Sequence, residues 1–492
     1  MRIARLSLFA AVAVVAAAVG GGVTARSFSH GGQTVFDAAR SELADSSPAA
    51  AAAAVATHPA YPDRQLRVKE PTICDPGVQQ YSGYLDHTDA DKHFFFWFFE
   101  SHNRPERDPL ILWINGGPGC SSFTGLLMEL GPCRAAKGGN DTVPNPFGWN
   151  QRANVVFLDQ PMNTGFSHGS DVFDSPSAAA DVHTFLQLFL RKFPKYANAP
   201  IVAFGESYGG HYIPEIARVI HEANKRIVKR AADDIASGKL VSAAAASDVA
   251  GWTAQSQLAA PVAANEERAL RLSSIGIGNG LIDPLVQYKY YSKMACNSTY
   301  GPILPESECK AMDNAYPTCA RLIKACYSSR SRFACVPAEL YCNSQILGRF
   351  QKSGKNIYDI RDDCPQGGMC YSILDDIETY LNQKEVRAAL GVDPEVEKFV
   401  GCNTGVHAGF RLKGDWMQPF HLDLVPLLDL GLRVLLYHGD ADFICSYMGG
   451  EQLALELEWA GKEGYNAAEV QKWIPENSLD LINRWILSRP YA

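Results

Sequence analysis

The sequence predicts an α/β protein with a mostly parallel central sheet and a disulfide-stapled inserted lid. Three observations carry this expectation. Short apolar, strand-like runs alternate with segments of helical spacing from His93 onward, and the run Ile201–Phe204 leads straight into a Gly-x-Ser-x-Gly turn. Cysteines then crowd the stretch from Met294 to Cys370, which reads as an inserted, loop-rich unit held by disulfides.

At the N-terminus, Arg2 and Arg5 precede an apolar run from Leu6 to Val19 and small residues ending in Val23-Thr24-Ala25. Residues 1–25 therefore read as a secretory signal peptide. The rival is a membrane anchor, but the run is shorter than the roughly 20 residues a bilayer span needs, and no later segment is long and apolar enough, so no span is expected in the mature chain. Residues 26–69 lack a sustained period and read as a leader or propeptide outside the fold. The core opens at residue 70. Alternating aromatics from His93 to Glu100 and the run Leu110–Ile114 supply its first strands, and Asn154–Leu158, Ile201–Phe204, Ser274–Ile277 and Arg433–Tyr437 continue it. Ala178–Phe193 has the spacing of a crossover helix. The first part of the core ends at residue 293, with an Ala-rich, aperiodic surface insertion at 224–271; a cysteine-rich lid covers 294–395; residues 396–492 form the second part.

Composition narrows the chemistry. A chain of 492 residues with 47% hydrophobic and 20% charged residues can bury a large core, and its net charge of −8 gives no reason to expect a nucleic-acid partner. Thirteen cysteines behind a signal peptide place the chain in the oxidising secretory pathway, as vacuolar, lysosomal or extracellular protein. The sequons at Asn140 and Asn297 fit glycosylation on the same route. Zinc is the rival reading of the cysteines, but no Cys-x-x-Cys or Cys/His spacing occurs, so neither metal nor cofactor is expected.

The turn at Gly205-Glu-Ser-Tyr-Gly209 bends a strand into a helix and lifts Ser207 to the sheet tip as a nucleophile. Trp113-Ile-Asn-Gly-Gly-Pro-Gly-Cys-Ser-Ser122 follows another strand, and its glycines let backbone N–H groups approach a substrate oxygen. A phosphate cradle is the alternative, disfavoured because no Gly-Lys-Ser/Thr follows.

Together with Asp159-Gln-Pro161, Gly278-Asn-Gly280, Gly414-Asp-Trp-Met417 and Gly439-Asp-Ala-Asp-Phe-Ile-Cys445, these motifs resemble those of the serine carboxypeptidases of the yeast carboxypeptidase Y type, from Asp75 to Ala492. The resemblance implies an α/β-hydrolase fold, Ser207 as nucleophile, Asp442 as triad acid, and the N–H groups of Gly117 and Tyr208 as oxyanion hole. It also implies that Trp113, Asn115, Glu129 and Glu206 read the free carboxylate of a peptide or protein substrate. Carboxylates that close cannot all ionise, so the cluster must hold a proton, which predicts binding at acidic pH. The resemblance pairs Cys120 with Cys402, Cys296 with Cys309, Cys319 with Cys342, Cys326 with Cys335 and Cys364 with Cys370. It leaves Cys445 a free thiol near the site. Cys74 and Cys133 lie outside this pattern and are candidates to pair with each other, although sequence does not fix connectivity.

One part departs from the pattern. The family's Gly-His-Met-Val-Pro-type loop, which carries the triad histidine, is missing together with its strand, and no histidine follows His438. After Asp442 the chain runs through a helix-like Tyr447–Ala460 and Gly464–Trp473 directly into the terminal helix Ile474–Ile486. His211, His407 and His438 are the candidate substitutes, none with motif support as a base. The chain therefore reads as a carboxypeptidase working through an acyl-enzyme at Ser207, inactive as written for lack of a base. A noncatalytic peptide-binding protein and an acyltransferase or esterase are the alternatives; the cause is either a true pseudoenzyme or coding sequence omitted between Ala460 and Pro475.

Overall fold

The computed structural model describes residues 2–6, 54–237, 267–365, 369–468 and 478–489. Its strands are β1 (Arg2–Leu6), β2 (Ala54–His58), β3 (Tyr61–Lys69), β4 (Gln80–His87), β5 (Lys92–Phe99), β6 (Leu110–Ile114), β7 (Cys133–Ala135), β8 (Thr142–Pro144), β9 (Asn154–Leu158), β10 (His168–Gly169), β11 (Ile201–Ser207), β12 (Leu272–Gly280) and β13 (Arg433–Gly439). One large sheet runs in the order β1-β13-β12-β11-β6-β9-β5-β4-β3-β2, with β10 beside β5.

Strands β9, β6, β11, β12 and β13 are mutually parallel, and the outer strands from β5 to β2 are antiparallel. The parallel strands read as unbroken apolar runs because both faces are covered: every residue of β6 and of β9 is buried. In β5 successive side chains alternate between faces. Phe94, Phe96 and Phe98 join one core and Phe95, Trp97 and Phe99 the other. Helices α1 (Ser175–Lys192) and α2 (Gly209–Ala236) close the first of these faces.

The core begins earlier than expected. Residues 54–69, assigned from sequence to a leader outside the fold, form a hairpin whose Leu66 is 0% and Val68 5% exposed. Their alternation is brief and interrupted by charge, which hid it; Arg67 finds its counter-charges only in the folded sheet, at Asp86 and Asp393. Residues 2–6, inside the expected signal peptide, lie parallel to β13 along the edge opposite β12. The aperiodic insertion also starts later than expected, because α2 continues to Ala236; residues 238–266 lie outside the described ones.

The lid is helical rather than loop-rich. After α3 (Pro284–Cys296), α4 (Glu306–Ser329) and α5 (Arg332–Cys342) form an antiparallel pair, with Cys319–Cys342 and Cys326–Cys335 as nested bridges and Cys296–Cys309 joining α3 to α4. Cysteines seven apart on both segments share one helix face, so the spacing itself encodes the hairpin. The short α6 (Gly348–Gln351), α7 (Ile373–Leu381), α8 (Lys384–Leu390), α9 (Thr404–Lys413) and α10 (His421–Asp429) lead to β13. Beyond it lie α11 (Tyr447–Glu456), α12 (Lys462–Ala467) and α13 (Ser478–Ile486); the helical reading Tyr447–Ala460 is longer than α11, and the readings Gly464–Trp473 and Ile474–Ile486 fall in part on residues 469–477, outside the described ones. Among the described residues no helix is long and apolar enough to cross a membrane. Asn140 and Asn297 are both exposed.

Candidate active site

Ser207 ends β11 with a positive φ of 57°, a conformation that non-glycine residues adopt only where the surroundings impose it. The strand has to reverse into α2 at this point, and that reversal holds the hydroxyl clear of the sheet. The glycine-rich loop after β6 lies against the elbow. A Cβ at Gly116 would come 2.3 Å from the Tyr208 nitrogen and 2.7 Å from the Glu206 carbonyl oxygen, so only glycine permits this approach. Gly117 has φ 106°. The expected oxyanion donors, Gly117 and Tyr208, are thus brought to neighbouring loops.

Three buried carboxylates brace this arrangement: Asp442, expected as the triad acid, and Asp159 and Asp415, whose motifs carried no role in the sequence. Asp159 accepts from Ser121 Oγ (2.6 Å), Ser122 N–H (3.0 Å) and Phe166 N–H (3.0 Å), pinning the loop; burial pushes its pKa up to about 7. Asp415 accepts from the Tyr208 hydroxyl (2.6 Å) and from Ser175 N–H (2.9 Å) and Oγ (2.7 Å), holding the elbow from below. Asp442 accepts from Asn279 Nδ2 (2.9 Å) and Ile444 N–H (3.0 Å), and burial lifts it also to about 7. The disulfide Cys120–Cys402 anchors the far side of the loop, with Ser121 N–H donating to the Gly401 carbonyl at 2.8 Å.

Beside the nucleophile, Trp113 Nε1–H (2.7 Å) and Gly125 N–H (3.0 Å) both donate to Asn115 Oδ1. That fixes the amide orientation and leaves Nδ2 as the end able to donate to a ligand. Glu129 and Glu206 share a hydrogen bond between their carboxyl groups. Burial and the neighbouring Glu206 charge push Glu129 well above the usual carboxylate range, and burial raises Glu206 as well. Only a pair holding a proton can make such a bond. The four residues expected to read a carboxylate therefore converge, joined by geometry that β6, the segment 125–130 and β11 supply.

Position by position, the histidines considered as substitutes point elsewhere. His438 is fully buried and its Nδ1 lies 3.3 Å from the Cys445 carbonyl, while its Nε2 packs against Gly450. His211 is enclosed between Tyr208 and Phe420, with Nδ1 3.9 Å from Asp415. His407 packs on Trp416 and faces the carbonyls of Gly117 and Pro118. What meets Ser207 is Cys445: its thiol lies against the serine, and burial followed by the charge of Asp442 pushes its pKa up, so it stays a thiol. The remaining cysteines form the pairs the resemblance implied, Cys364–Cys370 included, and Cys74 bonds Cys133.

Known proteins resemble this chain over most of its length. The serine carboxypeptidase family model matches residues 71–235 and 253–482. Carboxypeptidase Y of Schizosaccharomyces pombe is 48% identical over 85% of this chain and 39% of its own length. Carboxypeptidase Y of Candida albicans is 42% identical over 86% of this chain and 77% of its own. The chain thus spans about two-fifths of the first relative's length and about three-quarters of the second's. Among solved structures, the Saccharomyces cerevisiae prohormone-processing carboxypeptidase KEX1Δp superposes with a TM-score of 0.63 at 25% identity, covering 83% of this chain and 82% of that one. With an α/β-hydrolase sheet, a serine elbow and matches over most of its length, the chain belongs to the serine carboxypeptidase family.

Proposed function

We propose that this chain binds the C-terminal carboxylate of peptides at acidic pH and that Ser207 is positioned to accept the acyl group, with the described geometry lacking the base that would make turnover fast. The observation that carries the reading is the proton-holding Glu129–Glu206 pair immediately before the nucleophile. Trp113 and Asn115 complete a carboxylate-reading set, Gly117 and Tyr208 supply oxyanion donors, and Asp442 waits as an acid with no imidazole to orient. A serine without its base keeps its proton, and losing one triad member costs roughly four to six powers of ten in kcat.

Noncatalytic peptide binding is the second reading, favoured by the contact that gives Ser207 a thiol in place of an imidazole. Ester substrates, for an esterase or acyltransferase, use the same serine but leave the carboxylate set idle. The route through the secretory pathway, to a vacuole, a lysosome or the exterior, rests on the disulfides and on the exposed sequons Asn140 and Asn297.

The test incubates the purified chain and its Ser207→Ala variant with an N-blocked dipeptide and an N-blocked amino-acid ester near pH 5, and measures both release and binding. Serine-dependent release of the C-terminal residue supports the carboxypeptidase reading. Carboxylate-dependent binding without release supports the noncatalytic one, and absence of both overturns the site assignment.

A further inference from the structure

The antiparallel half of the sheet brings together two imidazoles that the catalytic reading leaves unused. His93 on β5 and His168 on β10 face each other across the strand pair, with ring centroids 4.5 Å apart and planes within 17°. Asp393, in the turn after α8, places Oδ2 3.2 Å from His168 Nε2. One donor atom from each of these three residues lies within 4.8 Å of the others. All three remain partly accessible, at 21%, 18% and 19% of their side-chain surface, so an ion can arrive from solvent.

The surroundings suit a cation. Asp86 Oδ1, almost fully buried, lies 2.7 Å from His93 Nδ1 and orients that ring, the arrangement in which a carboxylate supports a metal-binding imidazole through its other nitrogen. Asp91 Oδ1 is 3.5 Å from His93 Nε2, and Glu395 Oε2 is 3.7 Å from His168 Nδ1. Against these carboxylates stands one guanidinium, Arg67, which pairs with both Asp86 and Asp393. The next charges, Asp171 and Lys398, line the open cavity beside His168. With neutral imidazoles the carboxylates outnumber the cation in direct contact, so the cluster carries excess negative charge.

We propose that His93, His168 and Asp393 form a binding site for a divalent transition cation of the zinc class, bridging β5 and β10 to the turn after α8. Two imidazoles and one carboxylate are the donor set of such ions and not of magnesium or calcium, which take oxygen ligands. None of the three ligands is a cysteine or part of a Cys/His motif, which is why the expectation of no metal arose. Its occupation would pin the turn at Asp393, joining the N-terminal hairpin, through Arg67, to the segment that reaches Cys402 and the oxyanion loop.

The experiment titrates untagged, chelator-treated full-length protein with zinc chloride by calorimetry at about pH 7.5, above the imidazole range, and repeats it with magnesium and calcium. One saturable zinc site per chain is expected, with affinity weakened about tenfold or more in His93→Ala and in His168→Gln, and no heat from the oxygen-seeking ions. The glutamine keeps a planar polar group against His93, so its metal-free melting temperature should stay near the parent's, separating loss of a ligand from loss of folding. Absence of saturable zinc binding, unchanged affinity in both variants, or equal binding of magnesium would overturn the proposal.

Discussion

Replacing Glu129 by glutamine isolates the proton on which the proposed carboxylate reading depends. In the parent, burial and then the Glu206 charge raise the Glu129 pKa, and burial raises Glu206. A peptide carboxylate adds a third charge to the pair, so it enters readily only while the pair holds its proton. Once pH passes the raised value, binding must draw a proton from solution, and affinity falls about tenfold, or 1.4 kcal/mol, per pH unit. Glutamine has the same shape and keeps its N–H donors at every pH. In Glu129→Gln that slope should therefore flatten, at the cost of a modest loss near pH 5. The assay measures dissociation constants of an N-blocked dipeptide from pH 5 to 8 on a Ser207→Ala background, which prevents turnover, with the C-terminally amidated peptide as control. A slope that persists unchanged in the variant, or one that the amidated peptide shares, would refute the reasoning.

Other substitutions probe the bracing. Asp415→Ala strands the Tyr208 hydroxyl and both donors of Ser175 in a site 3% exposed, and should cost about 3 kcal/mol or more in urea unfolding; a loss under about 1 kcal/mol would mean that water replaces the carboxylate. Asp442 holds its proton more tightly folded, at about 7, than a free aspartate does, at 3.8. Its contribution to stability is therefore most favourable below pH 3.8 and declines as pH rises towards about 7, by up to about 4 kcal/mol. Asp442→Asn removes that decline, so its urea midpoint should fall less between pH 5 and 8 than the parent's; equal falls would place the titration elsewhere.

Much of the sheet was legible because its signals are local. Strands such as Leu110–Ile114 and Asn154–Leu158 are apolar without interruption because both faces are buried, and the sequence alone reproduces their bounds. The hairpin at 54–69 was not, since its buried residues are few and its charges are satisfied only by partners far along the chain, Arg67 by Asp393 for example. The elbow and the glycine loop announced themselves by residue type at fixed spacing. The bracing of Asp159, Asp415 and Asn279 did not, because a hydrogen bond across 240 residues, as between Ser175 and Asp415, leaves no periodic trace. The same holds for His93, His168 and Asp393, which only the pairing of β5 with β10 and the turn after α8 bring together.

The proposed lack of a base comes down to one sheet edge. Ser207, Asn279 and Asp442 all lie at or just beyond the C-terminal ends of β11, β12 and β13, and the outer edge of β13 is occupied by β1, parallel, from Arg2 opposite Leu435 to Leu6 opposite Gly439. Any strand seated there in that direction delivers the residues that follow it to the same end as the nucleophile. A chain carrying one further strand and a histidine loop between Ala460 and Pro475 should therefore displace β1 and place an imidazole between Ser207 and Asp442. Turnover of ester and peptide would rise by about four powers of ten. The dissociation constant for a peptide carboxylate would hardly change, because Trp113, Asn115, Glu129 and Glu206 belong to β6, β11 and the segment between them. Hydrogen exchange would report protection of the added strand beside β13; protection there without a gain in turnover would show that Ser207 lacks more than a base.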